Sequence, residues 1–304
     1  MLGVTVRSCL EELKCFASAE VVVVDNSDET IWPHVQAAIP TGYIREGKVQ
    51  LIRQEFPSLF SARQLAIDHA KSDLIACVDG HMIIGKDMFK DLVAFMKRRE
   101  NDPTIGFAHA PINWVHQHER ASKHDRNVTT CEMGDWNRQY DFERTITWKG
   151  MPWICRKSWW QEELLGYEVL SDERIGWGGG DIYIGTKPWL LGYKNWAVPT
   201  SPAIHIGPFP KVDGKQDYNY RLYKDSGTTP SVVGYLVALY ALGGDAALER
   251  NAGRMKTAFK WFNQAKWRPY AKEVAESYYQ KLLLRQKISF EEYLNNKPWE
   301  SSND

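Results

Sequence analysis

Two short polar segments, far apart in the chain, carry side chains that could do chemistry: DGH at residues 79–81 and WGGGD at residues 177–181. Alternate residues of an extended strand point the same way, so Asp79 and His81 can converge on one ion. A carboxylate oxygen and an imidazole nitrogen suit Mn²⁺ or a similar divalent cation. The first segment therefore predicts part of a metal site. The alternative is a plain strand-ending turn, because aspartate and glycine both favour turns.

Strand and helix patterns alternate around these segments. The sequence predicts strands over residues 21–25, 49–52, 74–79, 105–112 and 196–206, and helices over residues 4–15, 30–39, 62–71, 86–99 and 181–191. Ser61 is the expected cap of the third helix. This alternation implies right-handed crossovers and an α/β fold with a doubly wound, mostly parallel sheet. Ligands of such sheets bind beyond the carboxyl ends of strands, where Asp25 and Asp79 both lie.

The composition sets limits on the class of protein. The chain has 304 residues, 43% of them hydrophobic, with 38 basic and 38 acidic residues. This length fits one large domain, or a core domain with an appendage. Because the basic and acidic residues are equal in number, the net charge gives no general attraction to nucleic acid or to an anionic membrane. The 13 tryptophans fit a site for sugars, whose C–H faces stack on aromatic rings, although for any single tryptophan a place in the core is the more common explanation.

The cysteines and the apolar runs indicate where the protein resides. Five cysteines, an odd number, show no metal-ligand spacing and are typical of reduced thiols. No apolar run has the length of a transmembrane helix, so we expect no membrane insertion. The first residues do not resemble a signal peptide. We therefore expect a cytoplasmic protein of a bacterium or of a virus-infected cell.

The pattern changes in two regions beyond residue 115. Residues 116–147 are polar and have no clean period, which predicts a long functional loop or lid. The composition changes again after residue 210, where a linker-like turn precedes a helical pattern over residues 231–293. We predict a main domain over residues 1–210 and a helical C-terminal appendage over residues 211–304.

Four segments follow one another along the chain in this order: VVVVDNSDE, SARQLAIDHAKSDLIACVDGH, WGGGD and AIHIG. Their order resembles that of the family-two nucleotide-sugar glycosyltransferases with the GT-A fold. It is most similar to the polypeptide N-acetylgalactosaminyltransferase branch, which carries Asp-x-His instead of Asp-x-Asp. The resemblance covers residues 10 to 207. It implies a GT-A domain that binds a metal ion and a nucleotide-sugar donor.

The resemblance also implies a role for each matching polar residue. Asp79, His81 and His205 would hold Mn²⁺ or Mg²⁺, which bridges the diphosphate of the donor. Asp25 would accept a hydrogen bond from the base or ribose, and Arg63 would face the nucleotide. Each assignment beyond the first segment has a structural alternative. Asp25 could cap a helix, Arg63 could be a solvated charge, and His205 could be a core histidine.

The WGGGD turn would contact donor and acceptor together. The resemblance places Trp177, Gly178 and Gly179 on the donor side, where glycines allow the backbone to approach the substrate. Asp181 stands where inverting members of the fold keep the aspartate that deprotonates the acceptor hydroxyl. Gly180 stands where the family has glutamate. This departure leaves the recognition of the sugar open. The stereochemistry of transfer is open as well, because the most similar branch retains the anomeric configuration whereas a base aspartate favours inversion.

These assignments predict an enzyme, a hexosyl- or N-acetylhexosaminyl-transferase. It would move a sugar from a UDP-sugar donor to a hydroxyl of a glycan, polysaccharide or protein. A first alternative is transfer to hydroxymethylated bases of DNA. Basic and aromatic residues alternate over residues 250–268, as a surface tracking a nucleic-acid backbone requires, although an amphipathic helix has the same pattern. A second alternative is a non-catalytic glycan-binding protein on a decayed GT-A fold.

Overall fold

The computed structural model describes residues 1–27, 29–56, 58–115, 151–172, 175, 178–206, 230–258 and 264–296. Its helices are α1 (Leu2–Leu13), α2 (Trp32–Ala38), α3 (Thr41–Arg45), α4 (Leu59–His69), α5 (Met88–Arg98), α6 (Lys157–Trp159), α7 (Gly180–Leu190), α8 (Pro230–Ala258), α9 (Gln264–Arg285) and α10 (Phe290–Asn296). Its strands are β1 (Val21–Asp25), β2 (Val49–Arg53), β3 (Leu74–Cys77), β4 (Met82–Ile83), β5 (Ile105–His109), β6 (Ile112–Val115), β7 (Trp153–Arg156), β8 (Lys194–Ala197) and β9 (Ala203–Ile206). A π-helical turn (Trp160–Leu164) continues α6, and a 3₁₀ turn (Glu168–Leu170) follows it.

The strands form a mixed arrangement. In the described part of the chain, β1 pairs with β2, four strands run in the order β3-β7-β5-β8, and three run in the order β4-β9-β6. The β1–β2, β5–β8 and β6–β9 pairs are parallel. The β3–β7, β5–β7 and β4–β9 pairs are antiparallel. The α/β prediction is confirmed, and these antiparallel pairs are a feature that the alternation of elements did not predict.

Two of the predicted strands are each divided in two. The strand predicted over residues 105–112 breaks at Pro111, and the strand predicted over residues 196–206 breaks between Pro199 and Pro202. Proline has no N–H for a strand ladder, which favours a break at these points. The two strands stay paired with each other on both sides of the break, because β5 pairs with β8 and β6 pairs with β9, both in parallel.

The start of α4 differs from the prediction. Ser61 is not the helix cap; the N-cap is Ser58, whose hydroxyl accepts a hydrogen bond from the Ser61 N–H at 3.3 Å. An N-cap side chain bonds to the amide three residues later, so the true cap precedes the predicted one by one turn. The sequence alone did not separate the two serines.

A single large core cluster extends from the sheets into the C-terminal helices. It contains Phe107 of β5, Leu242 of α8, Ala271 of α9 and Tyr293 of α10, all buried. The C-terminal helices therefore pack on the same apolar interior as the strands. The predicted domain boundary after residue 210 and the predicted loop over residues 116–147 both lie outside the described residues.

Several tryptophans belong to this core. Trp153 and Trp160 are fully buried and stacked, with ring centroids 5.1 Å apart. Phe107 contacts both of them and Trp159, with centroid distances from 4.9 to 5.9 Å. Trp196 is also buried, at 8% exposure. These four tryptophans are therefore explained by the core and not by a sugar site, since offset and edge-on aromatic packing stabilises a core.

None of the helices in the described ranges combines the length and apolarity that crossing a bilayer needs. The cytoplasmic location stays a prediction.

One lysine of α7 is buried. Lys187 is 6% exposed, and its Nζ donates a hydrogen bond to the Tyr183 hydroxyl at 2.8 Å. Burial lowers the pKa of Lys187 to about 7, although the nearby Glu168 carboxylate opposes the shift. The unfolded chain keeps the ordinary lysine pKa of ~10.4, so it binds more protons than the folded chain between these two values. The free energy of unfolding therefore rises with pH across that interval.

We expect Lys187→Met to raise the free energy of unfolding near pH 7, because methionine brings no buried amine to neutralise. The gain over wild type should shrink as the pH rises towards 10, by at most about 1.4 kcal/mol per pH unit. Urea unfolding across this pH range measures the difference. Lys90→Met is the control, since the Lys90 side chain is 64% exposed, and it should leave the slope unchanged. Equal slopes for the two variants would contradict the argument from burial.

Candidate functional site

Antiparallel pairing of β4 with β9 brings two histidines together. In this ladder Met82 lies opposite His205, and the Ile206 N–H donates to the His81 carbonyl at 3.0 Å. His81 directly precedes β4, so its ring reaches the ring of His205. The two Nε2 atoms are 2.9 Å apart and the rings meet edge-on.

Asp79 completes this group from the end of β3. Its Oδ2 lies 3.5 Å from His205 Nε2, and one ligand atom from each of the three residues lies within 4.8 Å of the others. The residues predicted as metal ligands, Asp79, His81 and His205, therefore converge. One oxygen and two imidazole nitrogens fit a single divalent ion. This donor set favours Mn²⁺ over Mg²⁺, because Mg²⁺ prefers oxygen ligands alone.

Arg63 of α4 holds the other oxygen of this carboxylate. Its Nη2 lies 2.6 Å from Asp79 Oδ1, and its Nη1 lies 3.5 Å from the Tyr167 hydroxyl. The Arg63 side chain is only 12% exposed, which excludes the solvated helix charge. Burial alone would raise the pKa of Asp79, but Arg63 and the two histidines lower it well below its usual value. The carboxylate is therefore ionised at neutral pH.

Sequence reasoning missed Tyr167, whose hydroxyl contacts Arg63, and the hydrogen bonds that fix the neighbouring Gln64. The Gln64 side-chain oxygen accepts hydrogen bonds from Trp160 Nε1 at 3.1 Å and from the Tyr167 N–H at 3.4 Å. Burial raises the pKa of Tyr167 far above its usual value, so its hydroxyl stays protonated. The only local sign of these hydrogen bonds in the sequence is the polar Gln64 next to Arg63.

Asp181 lies in the first turn of α7, within electrostatic reach of Arg63 and Asp79. Burial raises the pKa of Asp181 to about 7; Arg63 lowers it and the Asp79 carboxylate raises it further. A carboxylate with such a pKa can take up and release a proton near neutral pH. Asp181 is therefore the described carboxylate best suited to acid–base chemistry beside the predicted metal ligands.

The glycines before Asp181 are required by the backbone and by close packing. Gly178 and Gly179 have φ values of 100° and 77°, a region that other residues rarely adopt. A Cβ at Gly179 would also overlap the backbone carbonyl of Gly234 in α8. Trp177 lies outside the described residues, so its position on the donor side stays a prediction.

The structure gives a physical reason for the glycine that replaces the glutamate of the family. A Cβ at Gly180 would overlap the aromatic ring of Phe60, which is 2% exposed. A buried ring thus fills the space where the first atoms of a glutamate side chain would lie. Position 180 cannot carry a side chain while Phe60 is present.

Asp25 lies at the carboxyl end of β1, opposite Arg53 in the parallel ladder with β2. The Ser27 hydroxyl donates to Asp25 Oδ2 at 2.7 Å, and Arg53 Nη1 lies 3.7 Å from the same oxygen. The Arg53 guanidinium also lies over the Trp32 ring, 5.3 Å from its centroid. Asp25 is not a helix cap, since α2 begins after Ile31. The contact between Asp25 and Arg53 could not be predicted from the sequence, because it depends on the register of the two strands.

Comparison with known proteins places the chain in a family. Residues 1–155 match the sequence profile described as Glycosyl transferase family 2, which is just over half of the 304 residues. The chain belongs to glycosyl transferase family 2. A putative polypeptide N-acetylgalactosaminyltransferase 9 of Drosophila melanogaster is 26% identical over 224 residues, which are 66% of this chain and 32% of that protein. The chain thus spans about a third of that curated relative.

One solved structure supports the fold of this family-two chain. The crystal structure of GalNAc-T7 with UDP, GalNAc and Mn²⁺ has a TM-score of 0.61 and 17% identity, and the match covers 96% of this chain and 53% of that one. The S. aureus TarS 1-349 structure in complex with UDP-GlcNAc has a TM-score of 0.47 and 14% identity, covering 96% of this chain and 88% of that one. We base the GT-A fold on the first of these. The predicted fold and the predicted resemblance are confirmed.

We expect His81→Ala to weaken Mn²⁺ binding by about tenfold or more, because it removes one of three ligands. Calorimetric titration of Mn²⁺, with and without UDP, measures the affinity. His69→Ala is the matched control, since His69 is exposed in the last turn of α4. Equal Mn²⁺ affinity in the two variants would contradict the metal site.

Proposed function

We propose that this chain is a metal-dependent glycosyltransferase that moves a sugar from a UDP-sugar donor to a hydroxyl of a glycan, polysaccharide or protein. The observation that carries the proposal is the convergence of Asp79, His81 and His205, with Arg63 on the same carboxylate and Asp181 within electrostatic reach. Membership of glycosyl transferase family 2 supports it. The UDP and Mn²⁺ in the GalNAc-T7 structure support the choice of donor and metal.

Asp79, His81 and His205 would hold a divalent ion, which when bound neutralises charge on the departing diphosphate. Arg63 fixes Asp79 through Oδ1, so that Oδ2 faces His205. The orientation of the carboxylate is therefore set before the ion or donor arrives. Such preorganisation avoids rearrangement of the site during the reaction.

Asp181 would accept the proton of the acceptor hydroxyl. Its raised pKa keeps it basic enough to take a proton from an alcohol that is attacking the sugar. Gly179 and Gly180 pack closely against α8 and the Phe60 ring, so an acceptor cannot approach Asp181 from those sides. On the donor side, Asp25 would bind the base or ribose at the sheet edge that it shares with Arg53.

The two alternatives gain no support from the described residues. Arg268, in the alternating basic and aromatic stretch, donates to Asp245 at 2.8 Å and to Glu249 at 3.0 Å. Its charge is balanced within the C-terminal helices, so Arg268 itself is not free to contact a DNA backbone. A decayed, non-catalytic protein has no need to keep three converging metal ligands beside a carboxylate of raised pKa. The proposal therefore keeps an enzyme with a glycan, polysaccharide or protein acceptor.

We expect UDP to bind in the presence of Mn²⁺ more tightly than guanosine, cytidine or adenosine diphosphate. The Asp25→Ala variant should weaken the binding of UDP, because the base or ribose loses a hydrogen-bond acceptor. Calorimetric titration with each nucleotide measures the preference. Tighter binding of guanosine diphosphate would refute the uridine assignment and leave the fold unaffected.

We expect Asp181→Asn to lower the turnover of sugar transfer by ~10²-fold or more, the usual scale for loss of a positioned general base. Binding of UDP with Mn²⁺ should change little, because the side chain acts on the acceptor. NMR of the product should show an inverted anomeric configuration, since a base opposite the leaving group directs back-side attack. A retained anomer, or normal turnover of the variant, would exclude Asp181 as the base.

A further inference from the structure

One buried hydroxyl connects the start of α4 to the chain segment that leads to Asp181. Ser58 is 0% exposed, and its Oγ donates a hydrogen bond to the Ile175 carbonyl at 3.0 Å. The same Oγ accepts the hydrogen bond from the Ser61 N–H. Ile175 is itself 0% exposed. The hydroxyl therefore satisfies a buried carbonyl of one segment and a helix-end amide of another.

The same end of α4 also contacts the chain on the other side of the WGGGD turn. The Phe60 ring packs against Gly180, the first residue of α7. Arg63, one turn further on, binds Asp79. The first two turns of α4 thus contact the chain on both sides of the WGGGD segment. They also contact the predicted metal site.

The loop that carries Ser58 is itself fixed. The buried Gln54 side chain donates to the Phe56 carbonyl at 2.7 Å and to the Ser58 carbonyl at 3.1 Å. The Gln54 N–H donates to the Asp25 carbonyl at 2.9 Å. These bonds hold Ser58 relative to the end of β1. These hydrogen bonds therefore keep Ser58 in a fixed position.

We propose that Ser58 is a positioning residue, whose hydroxyl holds Ile175 and so sets where the chain enters α7 and where Asp181 meets the acceptor. This role rests on the proposed function. Without the hydroxyl, the buried Ile175 carbonyl would lose this hydrogen bond, a loss that carries a desolvation cost inside the protein. The segment avoids this cost by moving, and Asp181 moves with it.

The test compares Ser58→Ala with Ser289→Ala. Both serines are helix N-caps, since the Ser289 hydroxyl accepts from the Glu292 N–H at 3.1 Å ahead of α10. Only Ser58 also donates to a carbonyl beside the predicted active site. Both variants therefore lose a helix cap. Any difference between them measures the effect of the hydrogen bond from Ser58 to the Ile175 carbonyl.

Three measurements separate positioning from general destabilisation. In Ser58→Ala the kcat of sugar transfer should fall about 30- to 100-fold, since a misplacement of ~1 Å can cost ~10²-fold. Its affinity for UDP with Mn²⁺ should stay within about twofold of wild type, since its donor-side contacts are intact. Hydrogen exchange should accelerate at the backbone amides of residues 180–184, where the Tyr183 N–H bonds to the Gly179 carbonyl at 2.9 Å. Ser289→Ala should leave all three unchanged.

Exchange over residues 180–184 that is no faster in Ser58→Ala than in Ser289→Ala would overturn the proposal, as would an equal kcat. If wild type transfers sugar from no donor, the proposed function fails. The exchange comparison then still decides whether Ser58 holds the entry to α7. If Ser58→Ala does not fold, Ser58→Cys gives the same comparison, because a thiol fills similar space but donates only weakly.

Discussion

The ion pair between Arg63 and Asp79 is the interaction on which the geometry of the site depends. Two carboxylates, Asp79 and Asp181, lie in one partly buried region, and Arg63 is the described cation that acts on both. Removing one partner of a buried pair leaves the other charge uncompensated, which destabilises far more than the loss of a surface pair. The guanidinium thus allows one carboxylate to be fully ionised while the other keeps a pKa near neutrality.

This pair is effective because rigid elements hold both partners. Arg63 projects from α4, whose neighbouring Gln64 is bonded to Trp160 and Tyr167. Asp79 lies two residues after the end of β3. The histidines come from a separate ladder, β4 with β9, so the three metal-competent side chains depend on two sheets keeping their relative position. Precise sites are better built on such elements than on loops, because packing already restricts their rotamers.

The features that local sequence pattern determines could be predicted, whereas the contacts that depend on strand register could not. The apolar strand before Asp79 and the spacing to His81 were visible in the chain, and the resemblance supplied His205. The contact between Arg53 and Asp25 was not visible, because it arises from which residues of two parallel strands lie opposite each other. The antiparallel pairing of β7 was missed for the same reason, because it is decided by contacts between segments distant in the chain.

The close packing of Phe60 against Gly180 makes these two positions an epistatic pair. A substitution library at position 180 alone samples only variants that clash with a buried ring, so it would report the site as intolerant of change. A route to a carboxylate at position 180 has to pass first through a smaller residue at position 60, which leaves a cavity and lowers stability on the way. The glutamate that the resemblance implies at position 180 is therefore hard to introduce in a single step.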